Sequence, residues 1–310
     1  MLLLHTLAPV FLLIAAGVAL RRWCGFSDGA ELSRLLYWVA LPAQLVWLTS
    51  RTDVSANLPL AGLAVVALAT FGGMAVALLL VRHLPPAEQG SLINGATRPN
   101  GAFIGLPIVG LAAAHLPAEA GAHLAGSYAV LLGPSVAVFN IGAVLAFRLP
   151  HHGGGAAGTL RSLADLPKNP LLIAVALGTA LGLWRPGCLE GTVPGTVLGM
   201  LAAGAVPLAL LAAGLGLDFA ALPGRWGRLS AALAAKLVLV PLACWGGCRL
   251  LGLDPVATAA VTVLMASPVA MASVPMARAL GGDPALMAAL VTATTAAAPA
   301  TMLAWLWLVL

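Results

Sequence analysis

The sequence predicts an all-α polytopic membrane protein. It is expected to have ten transmembrane helices arranged as two inverted five-helix repeats, with broken, crossing helices 4 and 9. Three observations carry this. Of 310 residues, 61% are hydrophobic and only 8% charged, against about 25% charged in a soluble domain. Apolar runs of about 20 residues, the length that crosses a bilayer, recur along the whole chain. Prolines inside those runs recur at a nearly constant offset between the two halves.

The spans fall at 3–22, 31–50, 58–82, 88–114, 119–147, 169–185, 192–216, 228–250, 255–280 and 286–308. In the first, Arg21 and Arg22 follow the apolar run, whereas a signal peptide carries its basic residues in front. It therefore reads as a retained helix. The connector 149–167 includes His151 and His152 in a Gly-rich stretch expected to be solvated. It separates a first repeat, 1–148, from a second, 168–310.

The halves share three landmarks. Pro42 and Pro207, each in a second span, are 165 positions apart. The fourth spans are interrupted between Pro99 and Pro107 and between Pro268 and Pro275, with offsets of 169 and 168. Five spans per unit is odd, so the second copy enters the membrane from the opposite side. Inverted repeats with matching broken helices point to a transport site near the midplane.

Loops after odd-numbered spans hold nine basic residues and those after even-numbered spans three. The positive-inside rule then places the odd loops in the cytoplasm and both termini outside the cell (inner) membrane. The net charge of +5 is scattered over short loops, which excludes a nucleic-acid face. Cys24, Cys188, Cys244 and Cys248 complete no metal pattern. The chain shows no His-Glu-x-x-His and no paired intramembrane Asp, so an enzyme is not expected.

The chemistry is expected at the two breaks. Prolines seven or eight residues apart should leave unwound peptides, and free backbone groups there must line protein or a wet cavity. The half-helix after each break points a positive dipole end at that cavity. The substrate-binding candidates are Thr97, Arg98, Asn100 and Gly101 at the first break and Ser267, Ala270, Met271 and Ser273 at the second, with Tyr128 and Asn140 from span 5. The helix-breaking residues are Pro99, Pro107, Pro268 and Pro275. Arg98 lies about 15 Å into its span at ~1.5 Å per residue. It either supplies a positive field or holds the break in place. Asn100 is expected to be solvated when the site is empty and to donate to a ligand. Lys236 is either a second positive centre or a snorkelling side chain. Gln44, Thr292, Thr294 and Thr295 either line a cavity or bond neighbouring helices. No Asp or Glu falls in mid-span, so the site suits an anion, with no cofactor and no evident coupling ion.

These residues carry a resemblance. The chain resembles the auxin efflux carrier family, including its bacterial malonate and organic-acid permeases, nearly end to end. The landmarks are Tyr37-Trp38-Val39-Ala40-Leu41-Pro42, Asn100-Gly-Ala-Phe-Ile-Gly-Leu-Pro107, Lys168-Asn169-Pro170-Leu171-Leu172, Lys236-Leu-Val-Leu-Val-Pro241, Ala266-Ser267-Pro268 and Ala277-Arg278-Ala279-Leu280-Gly281-Gly282-Asp283. The resemblance implies a scaffold part and a transport part whose broken helices cross at the substrate site. It implies transport of a small organic anion, such as a dicarboxylate or auxin-like acid, often by an elevator motion; a homodimer fits it. Asn100 matches an asparagine at the family's first crossover. Val269-Ala270-Met271-Ala272 is apolar where the family often carries a polar residue. The alternative is a sodium-coupled symporter of the bile acid–sodium symporter type, whose acidic and amide sodium ligands at the second crossover this chain lacks.

Overall fold

A computed structural model describes residues 2–26, 29–51, 60–151 and 170–310. Most of the connector, with His152, Arg161 and the Lys168-Asn169 landmark, lies outside the described residues. All regular structure among the described residues is helical, apart from one bridge between Pro99 and Val269. The helices are α1 (Leu2–Trp23), α2 (30–49), α3 (Leu60–Val81), α4 (Pro86–Thr97), α5 (Gly101–Ala113), α6 (Ala118–Arg148), α7 (Pro170–Trp184), α8 (Val193–Leu215), α9 (Trp226–Leu250), α10 (Pro255–Ala266), α11 (Ser273–Leu280) and α12 (Pro284–Val309). Five of them, α3, α6, α8, α9 and α12, are long and apolar enough to cross a membrane. The chain is an α-helical membrane protein.

Local chemistry sets many of the ends. Asp254 and Asp283 each accept two backbone N–H groups at 2.9 Å from the first turn of α10 and α12, and each is followed by a proline at the first helical position. A carboxylate cap satisfies orphan donors, and proline has no N–H to orphan. Arg21 donates to the Leu215 and Leu217 carbonyls (3.0 and 2.7 Å) where α8 ends, a favourable place for a cation.

Three helices carry a single π turn, at Leu36–Ala40 in α2, Gly101–Gly105 in α5 and Ala235–Leu239 in α9. Each turn immediately precedes an apolar residue followed by proline: Leu41-Pro42, Leu106-Pro107 and Val240-Pro241. A proline ring collides with the carbonyl four residues back, and widening the preceding turn moves that carbonyl aside. Pro9, Pro134, Pro207 and Pro299 lie inside helices with no such turn, so proline alone does not decide it.

The helices fall into two packed groups. One holds α1, α2, α7 and α8; the other holds α3, α4, α6, α9, α10 and α12. In the first, α1 and α8 meet backbone to backbone: a Cβ on Gly17 would strike the Leu211 carbonyl, and one on Gly214 the Ile14 carbonyl. Small residues permit such approach where lipid supplies no hydrophobic drive. The second group holds most of the buried core. Leu68, Leu79 and Leu80 of α3 remain exposed, as a lipid-facing surface requires. The broken helix α4–α5 lies where the two groups meet, with α1 and α8 packed against α5, while α10 and α11 pack within the second group.

Candidate functional site

Both interruptions are written by an X-Pro pair. Pro99 disfavours helical geometry at Arg98, which is extended (φ −101°, ψ 105°), and α4 stops at Thr97. Pro268 does the same to Ser267 (φ −57°, ψ 142°), and α10 stops at Ala266. The unwound peptides then pair with each other. Asn100 N–H donates to the Pro268 carbonyl at 2.7 Å, and Ala270 N–H donates to the Arg98 carbonyl at 3.2 Å, around the antiparallel Pro99–Val269 bridge. Backbone groups that lipid could not satisfy thus satisfy one another.

The unwound stretches are shorter than the proline spacing predicts. Helix resumes at Gly101 and at Ser273, so Pro107 and Pro275 lie inside α5 and α11 and break neither. Pro275 sits in the first turn of α11, where its missing N–H has no partner to lose. The π turn before Pro107 absorbs its ring.

Asn100 opens α5. Its Oδ1 accepts the Phe103 N–H at 3.3 Å, and its carbonyl accepts those of Ile104 and Gly105. It is 4% exposed, so it is buried where a solvated side chain was expected; the paired breaks close over it. Its Nδ2 has no partner. Ser273, fully buried, opens α11, and its Oγ likewise has no partner. Each half-helix that follows a break therefore begins with a buried polar atom left unused.

The remaining candidates divide. Tyr128, fully buried, donates to the Gly101 carbonyl at 2.9 Å. Its hydroxyl and the Ser267 Oγ crowd Gly105, where a Cβ would collide with both. Gly101, Gly105, Tyr128 and Ser267 thus form one close-packed cluster linking the breaks to α6. Half-buried Arg98 donates to Asn140 Oδ1 at 2.9 Å and packs its other terminal nitrogen on the Met276 sulfur. Tyr37 of α2 lies within electrostatic reach of the same guanidinium. Ala270 contributes backbone. Two candidates point elsewhere. Thr97 bonds its own helix at Ile93 (2.9 Å) and faces Gly73 of α3, and Met271 reaches across to Gly216 beyond α8.

Lys236 does not snorkel. It is fully buried, and its Nζ donates to the Met265 carbonyl at 2.6 Å, at the end of α10. Thr294 accepts the Val269 N–H at 3.1 Å and so holds the second break from α12. Thr292 accepts the Asp218 N–H at 2.9 Å. The oxygens Gln44 Oε1 and Thr295 Oγ1 are buried without partners. The contact of Met276 with Arg98 escaped the sequence, because nothing local distinguishes that methionine from its neighbours. The π turns had only a partial signal, because Val206-Pro207 shares the pattern of an apolar residue followed by proline and carries no such turn.

Residues 159–306 match the family model described as membrane transport protein. That match covers just under half of the chain, whose second half is thus similar to membrane transport proteins. It is also similar to an uncharacterized transporter of Methanothermobacter thermautotrophicus, 26% identical over 252 residues that cover 78% of this chain and 77% of the relative. Of the paired breaks, 267–272 lies inside the matched stretch and 98–100 precedes it. The long apolar helices make the chain a multi-pass membrane protein, and both likenesses are to transporters.

Proposed function

We propose that this membrane transporter carries a small organic anion, a carboxylate such as a dicarboxylate or an auxin-like acid, by alternating access. The substrate binds at the paired breaks. The ten helical spans form two inverted five-helix repeats, 1–148 and 168–310, joined on the cytoplasmic side, with both termini outside the inner membrane. The α1, α2, α7 and α8 group serves as scaffold, and the other group moves against it in an elevator-like manner. A homodimer through the scaffold fits this division.

The observation that carries the reading is the pair of unused buried groups, Asn100 Nδ2 and Ser273 Oγ, at the starts of α5 and α11. A donor buried without a partner is costly. A bound carboxylate beside helix N-termini would supply the missing acceptor. Arg98, held by a neutral amide and a thioether, adds positive field with no carboxylate paired to it among the described residues.

The test uses Asn100 in purified protein, with ligand-induced thermal stabilisation across a panel of organic acids and uptake into proteoliposomes. Asn100→Ala should weaken binding by about 1–3 kcal/mol, the scale of a hydrogen bond to a charged partner. Asn100→Asp keeps the acceptor that caps Phe103 but removes the Nδ2 donor; it should hold the fold better than Ala and bind an anion no better. Unchanged uptake and stabilisation in both folded variants would sink the site.

A further inference from the structure

Lys236 is the one lysine among the described residues, and it bonds the end of α10 beside the second break. It is fully buried, within the π turn that precedes Val240-Pro241 in α9. Its neighbour Leu237 turns its carbonyl to Trp305 Nε1 of α12 at 2.8 Å, so this stretch of α9 is held from two sides. The ion pairs among the described residues are Arg51–Glu190, Arg225–Asp283 and Arg228–Glu88, and none reaches Lys236. Its hydrogen-bond partner is the Met265 carbonyl, one residue before α10 ends.

That carbonyl belongs to the last turn of a helix, where acceptors lack N–H partners and partial negative charge gathers. The break uses two others nearby. Val263 O accepts both N–H and Oγ–H of Ser267, and Pro268 O accepts Asn100 N–H. Met265 O is completed by a cation instead of an N–H. Carbonyls at an unwound helix end in a transporter are where a monovalent metal ion can bind, and here an ammonium on a tether stands on that acceptor. A buried cation with no carboxylate is expensive, so its retention calls for a use that packing alone does not provide.

We propose that Lys236 is a tethered cation standing in for a coupling cation at the end of α10, so that the second break is complete without a bound metal ion. The consequence is a transporter indifferent to sodium. Removing the tether would convert the same place into a site for a free small monovalent cation. The proposal holds whichever substrate is carried, and its test contains none.

The test is the thermal unfolding midpoint of the purified full chain in 100 mM choline, sodium or methylammonium chloride. The wild-type midpoint should be the same in all three. Lys236→Ala should melt lower in choline and rise by about 2–4 °C in methylammonium or sodium, as ligand binding to a folded state requires. Lys236→Met fills the space without charge and should respond to none. A saturable rise of the wild type in sodium over choline would overturn the proposal, and so would a Lys236→Ala protein that no small cation stabilises. If Lys236→Ala cannot be purified folded in choline, recovery of monodisperse protein in methylammonium supports the tethered-cation role. Failure in every cation refutes it.

Discussion

The first break, residues 98–100, brings its polar groups with it. Arg98 and Asn100 are part of the unwound peptide, and Asn100 both caps α5 and keeps a free donor. The second break, 267–272, reads Ser-Pro-Val-Ala-Met-Ala and borrows its polar groups. Thr294 of α12 takes the Val269 N–H, Lys236 of α9 takes the Met265 carbonyl, and the backbone of the first break takes the Pro268 carbonyl and the Ala270 N–H. The comparison teaches that an apolar break need not be an empty one. Requirements of unwound backbone are the same wherever it occurs in a membrane. They can be met from within the segment or from helices far away in sequence.

This contrast can be broken most severely at Gly105, where both breaks lean on one point. Gly105→Val would drive a side chain into the Tyr128 hydroxyl and Ser267 Oγ. Overpacking a filled core costs about 1–3 kcal/mol or more. Loss of folded protein on size-exclusion chromatography is the expected result, and a normal elution profile and melting midpoint would show that the cluster is looser than described. Thr294→Val is the sharper test of borrowing. It keeps shape but strands the buried Val269 N–H, at a cost of about 1–3 kcal/mol. A lowered thermal midpoint with faster amide exchange at 269–270 is expected; exchange unchanged there would mean the second break does not depend on α12. The smallest effect should come from Tyr128→Phe. The Gly101 carbonyl loses the hydroxyl but keeps the Leu106 N–H through the π turn, so the loss should be about 0.5–1.5 kcal/mol. A drop as large as that of Thr294→Val would place the weight of the crossing on Tyr128 instead.

Much of this was legible in the sequence because it depends on local chemistry. Pro99 and Pro268 end their helices through the residue before them, a restriction that needs no tertiary context. Asp254-Pro255 and Asp283-Pro284 start helices for reasons contained in two residues. The lengths of the breaks were less legible. Pro107 and Pro275 look like the far edges of two unwound peptides, yet both are accommodated in helix. Whether a proline interrupts or is absorbed depends on a π turn or a first-turn position, and on what packs against the carbonyl it displaces.

The sequence alone carried the multi-pass helical membrane character of this chain and the residue at which each of two helices breaks, though not how far each break runs. Bilayer thickness, backbone hydrogen-bond demand and proline geometry act on short stretches, so a linear reading captures them. Only the tertiary structure decided that the breaks pair through Pro99 and Val269, that Arg98 is held by Asn140 and Met276, and that Lys236 ends on Met265. Those contacts join residues 29 to 178 positions apart. Which helix comes to lie beside which is set by packing of whole faces, and no local rule assigns a long side chain such as Arg98 or Lys236 its partner across that distance.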